Sequence, residues 1–285
     1  MLKQRIITAI WLVPLVLGAI FLLPANYFAW ALVGVFLIAA KEWGRIIDNQ
    51  CDVTQWSFTC TVGILLVALN LIVPIDAVWL SHQLHPIYLA ILYIGALWWL
   101  ASLLLVVTYP KSAKFWQKNP MFKSMFGQLT LIPCFVALIA LKSISSQASP
   151  YYGPVLVLLV MLIVWAADSG AYFVGKAIGK TKLMPAVSPA KTLEGLLGGL
   201  VTTMIVVAAV MYYSPEQELG LVVAVTLFVA LVSALGDLSE SMFKRAACIK
   251  DSGTILPGHG GVLDRIDSLT AALPVFTLIY IAFWM

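Results

Sequence analysis

The stretch LGLVVAVTLFVALVSALGDLSESMFKR, Leu219 to Arg245, runs eighteen residues without a charge and turns polar at Asp237. A helix needs about 20 mostly apolar residues to cross the roughly 30 Å hydrocarbon core of a bilayer. The run is continuous rather than alternating, so it does not fit a strand of a membrane barrel. Lipid offers no partner for backbone N–H and C=O groups, which leaves the helix as the spanning element. The rest of the 285-residue chain has the same character, with 62% hydrophobic residues, 11% charged residues and a mean hydropathy of +0.98. These values exclude a soluble domain of this length and predict an all-α, polytopic membrane protein.

Outward from that run, about nine spans are expected, over Ile6–Leu23, Tyr27–Ala40, Gln55–Val73, Ile87–Thr108, Leu129–Leu141, Pro154–Gly175, Leu193–Tyr212, Leu219–Leu238 and Val262–Trp284. The second and fifth are short. The first is long for a signal-peptide core and lacks an A-x-A site after it, so it is expected to be a retained span. With the N-terminus inside, 16 of the 17 Lys and Arg residues fall on the inner side and only Lys142 falls outside. That bias is the positive-inside rule, and it predicts a cytoplasmic N-terminus and a periplasmic C-terminus. The net charge of +4 then reflects topology and attraction to anionic membrane lipids, not nucleic-acid binding. The basic, aromatic loop KSAKFWQKNP reads as an interfacial anchor. Cys51, Cys60, Cys134 and Cys248 show no CxxC spacing and read as apolar fillers.

Residues 1–150 carry generic charges, whereas 151–285 bring acids into the ends of spans; the chain thus divides into spans 1–5 and spans 6–9, which hold the candidate site residues. In WAADSGAYFVGKAIGK, Trp165–Lys180, Asp168 lies eight residues before Lys176, about 12 Å up a helix. An ionisable group at that depth points to function or to a buried partner. In SPAKTLEGLLGG, Ser188–Gly199, Ser188, Lys191 and Thr192 form a helix entry that suits phosphate or a plain N-cap equally. In GDLSESMFKRAACIKDSGTILPGHGGVLDRID, Gly236–Asp267, Asp237, Glu240, Ser241 and Lys244 share a face if the eighth helix continues. Asp237 and Asp264, from adjacent antiparallel helix ends, can converge on one hard cation, and Mg2+ favours few carboxylates with phosphate oxygens and water. Gly258, Gly260 and Gly261 permit a tight turn with close backbone approach. Lys244, Arg245, Lys250 and Arg265 are donors suited to polyphosphate. His259 stands as either a phosphate donor or a turn former.

The pattern Ser241-x-Phe243-Lys244-Arg245-x(4)-Lys250-Asp251-x-Gly253-x-x-Leu256-Pro257-x-His259-Gly260-Gly261-x-x-Asp264-Arg265-Ile266-Asp267 resembles the signature of the phosphatidate cytidylyltransferases (CDP-diacylglycerol synthases), without departure over 27 residues. The Asp168 segment and Ser188-Pro189-x-Lys191-Thr192-x-Glu194-Gly195 also look like motifs of that family, and length and hydrophobicity fit its bacterial members. The resemblance covers the second half well, and the first half only in character. It implies transfer from CTP to phosphatidic acid, giving CDP-diacylglycerol and pyrophosphate, with Mg2+ and a candidate second cation. It implies Asp237 and Asp264 as metal ligands, with Lys244, Arg245, Lys250, His259, Arg265 and Asp267 in the catalytic set. Asp168, Ser188, Lys191, Thr192, Glu194, Ser241, Gly260 and Gly261 are the implied substrate- and nucleotide-binding residues. The bacterial inner membrane is the implied location, and a homodimer is carried over from the family.

Three other readings compete. One is a CTP-dependent lipid kinase. A CDP-alcohol phosphotransferase expects D-G-x-x-A-R and a further aspartate pair, of which Asp264–Asp267 offers a DxxD fragment. An ion-coupled transporter favours mid-bilayer charges and internal symmetry, whereas here the charges gather at one face.

Overall fold

The computed structural model describes residues 2–81, 83–145 and 149–285, apart from the side chains of residues 2–7 and 9. Lys3 and Arg5, which entered the orientation argument, therefore have side chains outside the described residues. All nine apolar runs are helical. The helices are α1 Leu2–Leu22, α2 Ala25–Ile47, α3 Asp52–Ile72, α4 Pro86–Val107, the short α5 Ala113–Trp116, α6 Pro120–Lys142, α7 Tyr152–Ile178, α8 Leu193–Thr202, α9 Met204–Tyr213, α10 Leu219–Ala246 and α11 Leu263–Trp284. Two small antiparallel pairs join them: β1 Trp79–Leu80 with β2 Gln83–Leu84, and β3 Lys182–Met184 with β4 Ser188–Thr192. The fold is that of an all-α, multi-pass membrane protein. Among the described residues, seven helices are long and apolar enough to cross a membrane, with α8 and α9 taken together as Leu193–Tyr213; the apolar part of α1, Ile10–Leu22, is shorter.

Three elements differ in detail from the hydropathy reading. The fifth run starts at Pro120 rather than Leu129, because Pro120 opens the helix and the Asn119 side chain accepts from the Met121 N–H at 2.9 Å. Such a cap satisfies an otherwise orphaned helix donor, and Pro at the first position lacks the N–H that would be orphaned. The seventh run breaks at Thr203. The Thr202 hydroxyl donates to the Gly198 carbonyl at 2.8 Å and the Thr203 hydroxyl to the Leu200 carbonyl at 2.7 Å. Back-bonding of this kind bends helices. The stretch Ser188–Thr192 is strand, and the helix begins only after Thr192, whose hydroxyl accepts from the Gly195 N–H at 3.1 Å.

Helix α6 lies deep in the core, with Leu131, Phe135, Ile139 and Leu141 buried. Its two ends carry lysines that close other helices. The Lys123 ammonium donates to the Ile46 carbonyl at 3.1 Å and to that of Ile47, at the C-terminus of α2. The Lys142 ammonium donates to the Ile20 carbonyl of α1 and lies 4.9 Å from the centre of the Phe28 ring. Cations favour helix C-termini, where carbonyls lack partners. Lys142, the one exception to the positive-inside count, is thus a buried structural cap rather than a loop charge.

Helices α7 and α8 approach closely through small residues, as helices in lipid do when van der Waals packing drives association. A Cβ on Gly199 would fall 2.5 Å from the Ala167 carbonyl oxygen, a backbone atom that cannot swing aside. Gly199→Val is therefore expected to destabilise the protein by about 1–3 kcal/mol. Gly18→Ala, where nothing among the described residues lies within 4 Å, should not lower stability, since Ala is the better helix former. Unfolding of both variants in detergent checks the contrast.

Candidate active site

An aromatic cluster fixes the polar end of α10. Phe243 is fully buried, with ring centres 4.9 Å from Trp116, 5.3 Å from Trp43, 5.6 Å from Phe126 and 6.3 Å from Trp98. Four rings from α2, α4, α5 and α6 hold Phe243, so the neighbouring Lys244 has little freedom. The hydroxyls of Ser102 and Ser239, both buried, meet at 2.7 Å and tie α4 to α10. On the other side, Gly236 lets α11 come close: a Cβ there would lie 2.6 Å from the Asp267 carbonyl. That approach brings Asp237 beside the start of α11.

The result is a cavity of about 670 Å³ between α7, β4, α8, α10 and α11. One part of its wall is ionic, with Asp168, Lys176, Lys191, Asp237, Lys244, Asp251, Asp264, Arg265 and Asp267. Another part is apolar, with Ala167, Leu196, Leu200 and Ala230 among its residues. Lys191 and Asp237 form an ion pair at 2.6 Å, and the Ser241 hydroxyl donates to the same carboxylate at 3.2 Å. Lys244 bridges Glu240 at 2.9 Å and Asp264 at 2.6 Å, with all three side chains nearly enclosed. Asp264 also accepts from the backbone N–H of Ser252 at 3.0 Å and of Gly261 at 2.8 Å. Asp168 lies within electrostatic reach of Asp237, Lys191 and Arg265. Asp267 accepts from the Ser268 N–H at 2.8 Å.

Eight residues expected from sequence thus come together around the cavity: Asp168, Lys191, Thr192, Asp237, Lys244, Asp264, Arg265 and Asp267. Others support its walls. Glu194 turns away and accepts from the backbone N–H groups of Lys180 and Thr181, at 3.1 Å each, closing the loop before β3. Arg245 donates to the Val187 carbonyl at 3.3 Å, tying α10 to the β3–β4 hairpin. Ser188 starts β4, and Lys250 is exposed beyond the cavity lining. Gly258 and Gly260 take φ of 77° and 81°, and the His259 N–H donates to the Leu256 carbonyl at 2.9 Å, so His259 helps form the turn. Sequence reasoning did not single out Glu42, Arg45 or Ser252, which grip the loop behind Asp264. The one available signal was a carboxylate at the end of an apolar run.

Carboxylates are hard oxygen donors. Among the described residues, no group of three or more His, Cys, Asp and Glu is placed to hold a metal by itself. A divalent cation at Asp237 and Asp264 would complete its shell from phosphate oxygens and water, as Mg2+ does. The donor set fits that ion.

Acids and lysines lining one cavity together with apolar side chains are the parts of a site for phosphate chemistry on an amphipathic substrate. The family model described as the cytidylyltransferase family matches residues 3–283. A phosphatidate cytidylyltransferase of Haemophilus influenzae is 43% identical over 294 residues, covering 98% of this chain and 99% of the relative. Another, of Pseudomonas aeruginosa, is 42% identical over 287 residues, covering 100% and 99%. A Staphylococcus aureus phosphatidate cytidylyltransferase is 48% identical over 126 residues, covering 44% of this chain and 48% of the relative. The chain belongs to the cytidylyltransferase family, and it is a nucleotidyltransferase.

Proposed function

We propose that the chain transfers the cytidylyl group of CTP to phosphatidic acid at the cytoplasmic face of the bacterial inner membrane. The observation that carries this reading is the cavity, whose ionic part suits phosphates and whose apolar part suits the adjoining diacylglycerol. Full-length likeness to phosphatidate cytidylyltransferases supports the same substrates.

A phosphate-monoester oxygen of the lipid attacks the α-phosphorus of CTP, the bond from that phosphorus to the bridging oxygen breaks, and pyrophosphate leaves. A lipid phosphate is largely dianionic near neutrality, since a comparable second pKa lies near 6, so the attack needs no strong general base. The obstacle is anion meeting anion. Preorganised positive charge is the means of lowering such a barrier. Lys191, Lys244 and Arg265, all in the cavity wall, supply it. Asp237 and Asp264 would hold Mg2+, which neutralises phosphate charge when bound. Asp168 and Thr192, with Ser241 behind Asp237, line or brace the nucleotide side.

The positive-inside distribution supports nine spans with the N-terminus cytoplasmic and the C-terminus periplasmic. In that orientation the C-terminal end of α10 and the start of α11 face the cytosol, where CTP is. Helices in 151–285 carry the catalytic groups and those in 1–150 brace them. Anionic lipids at the basic loops, a second cation and a homodimer complete the reading. Purified protein with CTP, Mg2+ and phosphatidic acid is expected to release pyrophosphate and CDP-diacylglycerol in equal amounts, and none without the lipid. Absence of lipid-dependent pyrophosphate would overturn the assignment.

A further inference from the structure

We infer that Glu42, near the end of α2, is a positioning residue that sets the place of Asp264. This inference rests on the cytidylyltransferase reading of the cavity, and it concerns a helix about 220 residues earlier in the chain. Glu42 is only 2% exposed, yet a carboxylate in so apolar a setting carries a desolvation cost unless its oxygens are well met. Here they are. Its Oε1 accepts from the Val262 N–H at 3.1 Å, and its Oε2 accepts from the Leu263 N–H at 2.7 Å and the Ser252 hydroxyl at 3.3 Å. The Gly261 N–H donates to Asp264 instead.

Three successive amides at the start of α11 are thus shared between two carboxylates. Helix N-termini leave such donors without intrahelical partners, and they favour negative charge. One carboxylate is Asp264, from α11 itself; the other reaches in from α2. Ser252 joins them, since its N–H donates to Asp264, its hydroxyl to Glu42, and its carbonyl accepts from Arg45 at 2.9 Å. Arg45 lies three residues along from Glu42, on the same side of α2. The end of α2 therefore clamps both ends of the 252–263 loop, through Ser252 itself and through the two residues after Gly261; the N–H groups of Ser252 and Gly261 donate to Asp264.

The clamp also accounts for two glycines. A Cβ on Gly253 would lie 2.2 Å from Glu42 Oε1, and one on Gly261 would lie 2.5 Å from Oε2. Those positions are small because the Glu42 carboxylate lies against them.

Glu42→Gln tests the inference, because it keeps size and one acceptor while turning an NH2 toward a backbone N–H. Partners that orient metal-site residues typically change metal affinity or activity by about 10–100-fold when altered. We expect Glu42→Gln to lower kcat about 10–100-fold, to raise the Mg2+ concentration for half-maximal rate, and to leave the KM for phosphatidic acid within about twofold. Amide hydrogen exchange at residues 252–263 should quicken without metal or nucleotide present, a readout that does not depend on turnover. Ser252→Ala, which removes the hydroxyl bridge and keeps the N–H to Asp264, should shift the Mg2+ response in the same direction by less. A Glu42→Gln protein that only loses thermal stability, with kcat and Mg2+ response within twofold of wild type, would overturn the inference. Inactive wild-type protein measured alongside would instead sink the cytidylyltransferase reading, and the exchange rates would still decide whether Glu42 holds the loop.

Discussion

Asp264→Asn is expected to reduce turnover by at least about 10²–10³-fold, the range seen when one preorganised group stabilising transition-state charge is removed. The protein should remain inserted and folded. The Asn carbonyl oxygen can still accept from the Ser252 or Gly261 N–H, and Lys244 keeps Glu240 at 2.9 Å. What disappears is the negative charge facing the cavity, which a hard cation needs. Pyrophosphate release across a Mg2+ titration, with size-exclusion profile and helical circular dichroism as folding controls, measures the effect. Near-normal turnover at any Mg2+ concentration would remove Asp264 from the set of ligands.

Lys244→Met should produce the largest loss of stability. Met replaces the aliphatic stem and removes the ammonium, leaving Glu240 and Asp264 facing one another with side chains 4% and 6% exposed. Removing one partner of a buried ion pair costs about 3–5 kcal/mol, because the remaining charge is uncompensated. Asp264 keeps two N–H donors, so much of that cost falls on Glu240, whose other oxygen has no hydrogen-bond partner among the described residues. Adding Glu240→Gln to Lys244→Met is therefore expected to recover part of the stability and none of the activity, since Lys244 lines the cavity. Unfolding in detergent and pyrophosphate release separate the two effects. A stable, inactive Lys244→Met protein would mean that the buried carboxylates find other compensation.

Local periodicity made much of this molecule readable. Each apolar run became helix, and the i, i+3, i+4, i+7 spacing of Asp237, Glu240, Ser241 and Lys244 follows a helix that continues to Ala246. Facing ends of α10 and α11 could be paired from sequence because the two helices are consecutive antiparallel spans. Three features were not legible there, each for a physical reason. Glu42 belongs to the site through contacts made over two hundred residues away, and its local pattern is that of any charged helix end. Glu194 accepts from the backbone amides of Lys180 and Thr181, partners that its own local pattern does not specify. The bend at Thr203 comes from hydroxyls returning to backbone carbonyls, a choice that hydropathy does not register.

The lysine caps of α6 bear on how the first helices sit in the bilayer. Lys123 closes the C-terminus of α2 and Lys142 that of α1. The two lysines stand nineteen residues apart on one helix, about 28 Å at 1.5 Å per residue. That nearly equals the hydrocarbon thickness of about 30 Å. Helix α6 thus works as an internal gauge: it holds the ends of α1 and α2 about a membrane's depth apart. One of the two ends is that of α2, which carries Glu42, so the same gauge fixes the depth of the clamp behind Asp264.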